Sequence, residues 1–324
     1  MHLTSLVRVI AFATAWTTAL CAQKGGGTTA PPADAAVAFR GDLRLTLARA
    51  DGTGQTAIGT QYLAYAPMAW TQAGGPLVFE DRASSAIYRI QPNGTGQTLL
   101  ARLAATDSTA HGVAVTRRAP CPDGTHRVFY IDGVQKDTLW TVRLDGSDPR
   151  PLGGGVDNLT LWGPMVSSSG DKVVVIEELG DLVVLTLGLV GGQLGVVQRE
   201  SLVWYDPGHP LHGFILWSAW LEDTSPHNPG GTQLVLVANP DPFVVPDQIY
   251  RLDLAAPTVV QQLPAPASSI HGVSVSADGN WLFYGATNSS GGTSIFRANR
   301  DGTGAIDWSL AGRRKSHVFP CTRP

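Results

Sequence analysis

A short phrase recurs along this chain: an apolar strand, a tight Asp-Gly or Asn-Gly turn, then a second short strand. It reads Leu-Ala-Arg-Ala-Asp-Gly-Thr-Gly-Gln-Thr around Asp51-Gly52 and returns as Ile-Gln-Pro-Asn-Gly-Thr-Gly-Gln-Thr at Asn93-Gly94. It appears again as Val-Arg-Leu-Asp-Gly-Ser at Asp145-Gly146 and as Ala-Asn-Arg-Asp-Gly-Thr-Gly at Asp301-Gly302. The turn glycines lie 42, 52 and 156 residues apart, and the last gap is three times the one before it. Two further units without the turn signature therefore fit between Gly146 and Gly302. Self-similarity at a period of roughly 40–50 residues, in a chain of short strands, is the mark of a β-propeller.

Composition agrees with an all-β ring. Hydrophobic residues make up 43%, enough for a continuous core, and the apolar runs are short and bounded by Gly, Pro, Asn or Asp rather than helical in period. Glycine (37) and proline (22) are abundant, as a fold with many turns requires. Charged residues are only 15% with a net charge of −3, which excludes a basic field for nucleic acid.

Residues 1–22 read as an export signal: His2 and Arg8 precede the twelve apolar-rich residues Val9–Leu20, too short to span a bilayer. Cleavage after Ala22, with Cys21 as the second site, suits an ordinary signal peptidase. Cys21, followed by a flexible Gly/Thr/Pro linker at 23–36, also resembles a lipoprotein start, although Leu20 departs from the small residue expected there. Both readings place the chain outside the cytoplasm, in a periplasmic or extracellular space, with lipidation of Cys21 as the second. No other apolar stretch is long and unbroken enough for a transmembrane helix. Cys121 and Cys321 fall in different repeats, which favours two unpaired thiols over a disulfide.

The propeller is expected over 37–324. Laid in register, the repeats predict blades at 61–104, 105–155, 156–203, 204–267 and 268–315, each a four-stranded antiparallel sheet. The segment 37–60 holds only three strands, and 316–321 (Ser-His-Val-Phe-Pro-Cys) is a leftover strand. The economical closure lets the C-terminal segment complete the first blade, giving six blades and no free edge. A long insertion, 218–231, interrupts the fifth.

Ser276-Ala-Asp-Gly-Asn-Trp-Leu-Phe-Tyr-Gly, Ser294-Ile-Phe-Arg and Asp301-Gly302 together resemble the repeat of TolB-type propellers. Ile87-Tyr88, Leu139-Trp140 and Ile249-Tyr250 match that repeat's Ile-Tyr position, while Ala277 stands where the family has Pro. The resemblance covers residues 36–324 and implies the propeller fold. Its functional implication is broad, since such propellers serve as binding platforms, as gates on peptidases, and at times as enzymes.

The starts of the inner strands align His111, His212, His271 and, in the closing segment, His317, with Tyr65 and Trp162 in the other two blades. Converging imidazoles suit a divalent metal, and the same recurrence follows if a His-Gly pair merely packs a strand start against the next blade. Adjacent Glu177 and Glu178 would point to opposite faces of a strand and make no catalytic pair. Gly52-Thr-Gly54 begins like a dinucleotide fingerprint, but no helix follows it. No nucleophile elbow appears, and no cofactor is implied by any motif. The first expectation is a non-catalytic exported platform that binds a protein or a cell-envelope component through Trp162, Trp217 and Trp220. The alternative is a metal-dependent polysaccharide lyase or hydrolase using His111, His212, His271 and His317.

Overall fold

The computed structural model describes residues 37–41, 44–49, 53–58, 68–71, 75–81, 84–103, 112–132, 138–152, 162–177, 181–203, 208–222, 225–240, 246–265, 269–287, 292–308 and 321–322. The export signal, the linker and Cys21 lie outside them. Every described element is a strand, and the strands form four-stranded antiparallel sheets. No helix among the described residues is long and apolar enough to cross a membrane.

β1 (Val37–Gly41), β2 (Arg44–Ala48) and β3 (Thr56–Ile58) come first among the described strands. Five sheets of consecutive strands follow. The first holds β4 (Met68–Trp70), β5 (Leu77–Asp81), β6 (Ala86–Ile90) and β7 (Thr98–Arg102). The second holds β8 (Val113–Val115), β9 (Arg127–Asp132), β10 (Thr138–Arg143) and β11 (Arg150–Pro151). The third holds β12 (Trp162–Val166), β13 (Lys172–Glu177), β14 (Asp181–Val190) and β15 (Gln193–Ser201). The fourth holds β16 (Ile215–Leu221), β17 (Gln233–Asn239), β18 (Gln248–Asp253) and β19 (Ala256–Leu263). The fifth holds β20 (Ile270–Val275), β21 (Trp281–Thr287), β22 (Thr293–Asn299) and β23 (Ile306–Asp307). A further sheet joins the first and last described strands in the order β24-β1-β2-β3, with β24 at Cys321–Thr322.

The first strands adjoin one another in sequence: β4 to β8, β12, β16, β20 and β24, and β24 back to β4. That closed circuit makes the molecule a propeller, with β24 as the inner strand that β1–β3 lack. The C-terminal pairing is Val37 with Thr322 and Ala38 with Cys321, at the end of the expected closing segment; 316–320, with His317 and Phe319, lie outside the described residues. Deleting residues 321–324 strips β1 of its inner partner. The urea midpoint should fall by an amount equivalent to about 2 kcal/mol or more, the cost of leaving buried backbone groups unpaired.

Period-two alternation explains the core. In β17, Val235 and Val237 pack with Ile270, Val273 and Leu282 of the next sheet, while Leu234, Leu236 and Ala238 pack with Val174, Ile176 and Leu182 of the preceding one. A strand buried on both faces must read as a near-continuous apolar run, as Leu-Val-Leu-Val and Lys-Val-Val-Val-Ile do. Each such side chain contributes roughly 1.5–3 kcal/mol when fully removed from water.

The recurring turns have one local cause. Asn93, Asp145 and Asp301 each accept, through Oδ1, the backbone N–H two residues on, at 3.0, 2.8 and 2.9 Å. The glycine that follows adopts φ of 81°, 88° and 83°, and its N–H donates to the carbonyl three residues back. An L side chain is strained in that region, which is why the Gly recurs with the Asx residue.

Cys121, in the turn after β8, is buried and carries a free thiol. Burial, reinforced by the Asp123 carboxylate and opposed by Arg127, pushes it up to about 12. Iodoacetamide at pH 8 should leave Cys121 unmodified in the native protein and label it in urea, as read by peptide mass.

Candidate functional site

Antiparallel order places the turns between first and second strands, and between third and fourth, at one end of the ring. The connections between second and third strands, and from sheet to sheet, lie at the other. Five of the inner strands lead into a residue whose N–H closes the first turn. Thr71 donates to Pro76 O (3.1 Å), Thr116 to Arg127 O (3.0 Å) and Ser167 to Lys172 O (2.9 Å); Glu222 donates to Gln233 O (2.8 Å) and Ser276 to Trp281 O (2.9 Å). Five residues upstream of these anchors stand Ala66, His111, Trp162, Trp217 and His271.

This register differs from the expected alignment. The position equivalent to His271 in the fourth complete sheet is Trp217, not His212. Pairing skips one residue between Leu216 and Ser218, as it does between Ile270 and Gly272, so Trp217 and His271 are the extra residues of matching bulges. His212 lies in the preceding turn, exposed, with its N–H donated to His209 O at 2.9 Å. The sequence misleads here because His212-Gly213 copies the His-Gly pair, while the strand itself begins at Ile215. His111 and His317 lie outside the described residues, and His271 is described only in its backbone within β20. Among the described residues, no group of three or more His, Cys, Asp or Glu side chains is placed to hold a metal ion.

The glycine after the aligned position has a steric reason. A Cβ on Gly112 would fall 2.2 Å from Pro164 Cδ and 2.6 Å from Gly163 Cα, so neighbouring inner strands meet there with no room for a side chain.

The expected tryptophans separate. Trp162 and Trp217 belong to β12 and β16 near the ends where inner strands begin. The sequence reading assigns Trp220 to the 218–231 insertion, but the structure places it inside β16, opposite Val235, one residue from the strand's far end. It packs against the cluster of Val235, Ile249 and Tyr284, and also against that of Leu47, Met68, Trp70 and Phe79. The second cluster includes β4, which stands across the ring from β16, so the indole reaches over the axis. Arg117, just past β8, lies over the same ring, its guanidinium carbon 4.6 Å from the centroid. Side chains from three directions thus meet on the axis at the tight-turn end.

The insertion is correspondingly shorter and is docked. Asn228 Oδ1 accepts the N–H groups of Thr232 (3.1 Å) and Gln233 (3.4 Å), and the His227 ring meets Asn280 Oδ1 at 2.9 Å in the next sheet. At its root, buried Glu222 accepts from Arg251 (3.1 Å) and Arg300 (2.7 Å). Burial lowers the Arg251 guanidinium, and Glu222 opposes that effect.

The opposite end carries a feature that sequence reading missed: buried carboxylates where second strands finish. Glu80, Asp81, Asp132 and Glu177 all occupy such positions, and Asp181 opens β14 beside Glu177. Burial raises the Glu177 carboxyl, against the pull of Arg199, whose Nη2 donates to Oε2 at 2.5 Å. The Ser201 hydroxyl donates to Asp181 at 2.7 and 2.9 Å. The signal was available as an acid closing three of the second-strand apolar runs, in Phe79-Glu80-Asp81, Ile131-Asp132 and Ile176-Glu177.

No family model matches this sequence, and no curated protein matches it. Among solved structures, the chain is similar to TolB from Acinetobacter baumannii, at 12% identity and TM-score 0.63, covering 91% of this chain and 68% of that one. It is also similar to a chain of the nidogen/laminin complex, at 14% identity and TM-score 0.63, covering 89% of this chain and 98% of that one. At these identities the likeness is one of fold: a β-propeller of four-stranded antiparallel blades, of the kind that TolB and the nidogen/laminin complex contain.

Proposed function

We propose that this protein is an exported, non-catalytic, six-bladed propeller that binds a protein or cell-envelope component through the end where its inner strands begin. The six-blade count rests on the sheet β24-β1-β2-β3 acting as the closing blade. The observation that carries the binding reading is the inequality of the two ends. One is finished by hydrogen-bonded turns, with Trp220 and Arg117 over the axis. The other is where the sheet-to-sheet connections run, and where the frame brings Trp162, Trp217 and His271 to one level. These positions share a level in the backbone register, and tryptophan is enriched at interface hot spots. The nidogen/laminin structure is a complex of two proteins, which accords with a propeller used for recognition.

Photocrosslinking in the producing cell tests the reading. A benzophenone side chain at position 162 or 217 should give adducts of discrete mass, and one at position 145 or 301, in the tight turns, should not. Equal adducts from both ends, or none from 162 and 217, would rule the platform face out. The mass of the mature N-terminus tests export: cleavage after Ala22 and a lipid on Cys21 are both consistent with it, and an intact Met1 is not.

A further inference from the structure

We propose that the tip of the β14–β15 hairpin inserts into the headgroup region of a lipid bilayer. β14 and β15 have 10 and 9 residues and outrun their sheet. β13 stops pairing at Lys172–Thr186, Leu187 N–H still donates to Asp171 O at 2.7 Å, and from Gly188–Gly195 to Val190–Gln193 the two strands pair only with each other. The two-residue turn, Gly191-Gly192, has φ of 60° and 79°, the left-handed pair that a tight hairpin needs.

Residues 182–198 form a run of seventeen without a single charge, bounded by Asp181 and Arg199. The ribbon is held from one side: Leu187, Leu194 and Val196 pack into the cluster of Cys121 and Leu152, and Arg150 Nη1 donates to Gln193 Oε1 at 2.6 Å. Its remaining apolar groups face water, with Leu189 54%, Val190 56% and Val197 54% exposed. Two glycines let the valines lie flat across the ribbon. A Cβ on Gly188 would fall 2.6 Å from Val197 Cγ1, and one on Gly195 would fall 3.1 Å from Val190 Cγ2. The product is a stiff hairpin whose own residues carry no charge, with the Arg150 guanidinium bonded to Gln193 beside its turn.

A bilayer is the occupant these features favour. A stable protein partner, or a second copy of this chain, needs roughly 800 Å² from each side, far more than three half-exposed side chains supply. A bilayer demands neither shape nor charge complementarity, and it takes up a small protruding apolar tip with affinity that scales with the buried area. The tip lies at the tight-turn end, so inserting it would leave the opposite face directed away from the membrane.

Co-flotation of the full chain with phosphatidylcholine vesicles tests the proposal, alongside Leu189→Glu/Val190→Glu, whose thermal midpoint serves as the folding control. The double variant should partition at least about tenfold less, and the wild-type partition should not fall on raising NaCl. Val190→Trp provides a local readout independent of the N-terminal segment, and its emission should shift to the blue on adding vesicles, relative to wild type. Unshifted emission from the Val190→Trp variant, equal partition of the folded double variant, or a wild-type dimer that the double variant dissolves would each overturn the proposal.

Discussion

Replacing Arg127 by methionine should cost about 3 kcal/mol of stability, read as a fall in the urea midpoint. Arg127 is 0% exposed in its side chain, yet charged, at the start of β9. Its Nε and Nη2 donate to Asp123 Oδ2 at 2.9 and 2.7 Å, and Nη2 also reaches Asp148 at 2.5 Å. Removing the cation takes the buried guanidinium from both carboxylates, leaving Asp123 its bonds from Thr125 and Asp148 only the more distant Arg143 and Arg150. The figure sits at the low end for a broken buried pair because Asp148 keeps 34% of its side chain in water. Burial alone would raise the Asp123 carboxyl, but hydrogen bonds from Arg127 and Thr125 hold it below its usual value; the Arg127 bond likewise lowers Asp148. Carboxyls depressed in the folded state add stability above their unfolded values and lose it as pH falls through the folded ones. Wild type should therefore lose stability below about pH 4, and the variant should lose less over the same interval. A variant that follows the wild-type acid curve would show that the network does not set it.

Trp220→Ala should cost a similar amount, about 3 kcal/mol, by emptying the axial contact between β16 and the Met68–Trp70 side of the ring. Trp220→Phe keeps an apolar ring and should recover part of the loss. Arg117→Ala removes only the cation over the indole, worth about 1 kcal/mol. A double-mutant cycle should find the two residues coupled. If Trp220→Ala changes the urea midpoint by less than the equivalent of about 1 kcal/mol, the indole does not bridge the axis, and the inequality between the ring's two ends loses its main support.

Sequence by itself determined the local parts. The Asx-Gly turns at 93, 145 and 301 depend on bonds spanning two or three residues, so they are legible wherever the dipeptide stands. Apolar runs such as Leu234–Val237 declare strands buried on both faces, and their period implied a ring. For the closure, the described pairing is that of Cys321 and Thr322 with Ala38 and Val37, at the very end of the expected segment 316–321.

The tertiary structure alone decided how the inner strands are phased. His212-Gly213 imitates His271-Gly272 in sequence, but the bulge at Trp217 and the anchor from Glu222 to Gln233 set the register, and those depend on the partner strand. Trp220 likewise looked like part of a loop because nothing nearby in sequence shows that it packs against the cluster holding Leu47, Met68 and Trp70. The length of the β14–β15 ribbon escaped for a different reason. Its outer half is as apolar as the core strands, and only packing distinguishes Leu187, buried in the cluster of Cys121 and Leu152, from Leu189, which is left half-exposed. Turn chemistry and strand period act between neighbours in the chain, whereas burial and axial contact are set by side chains that meet only once the ring has closed.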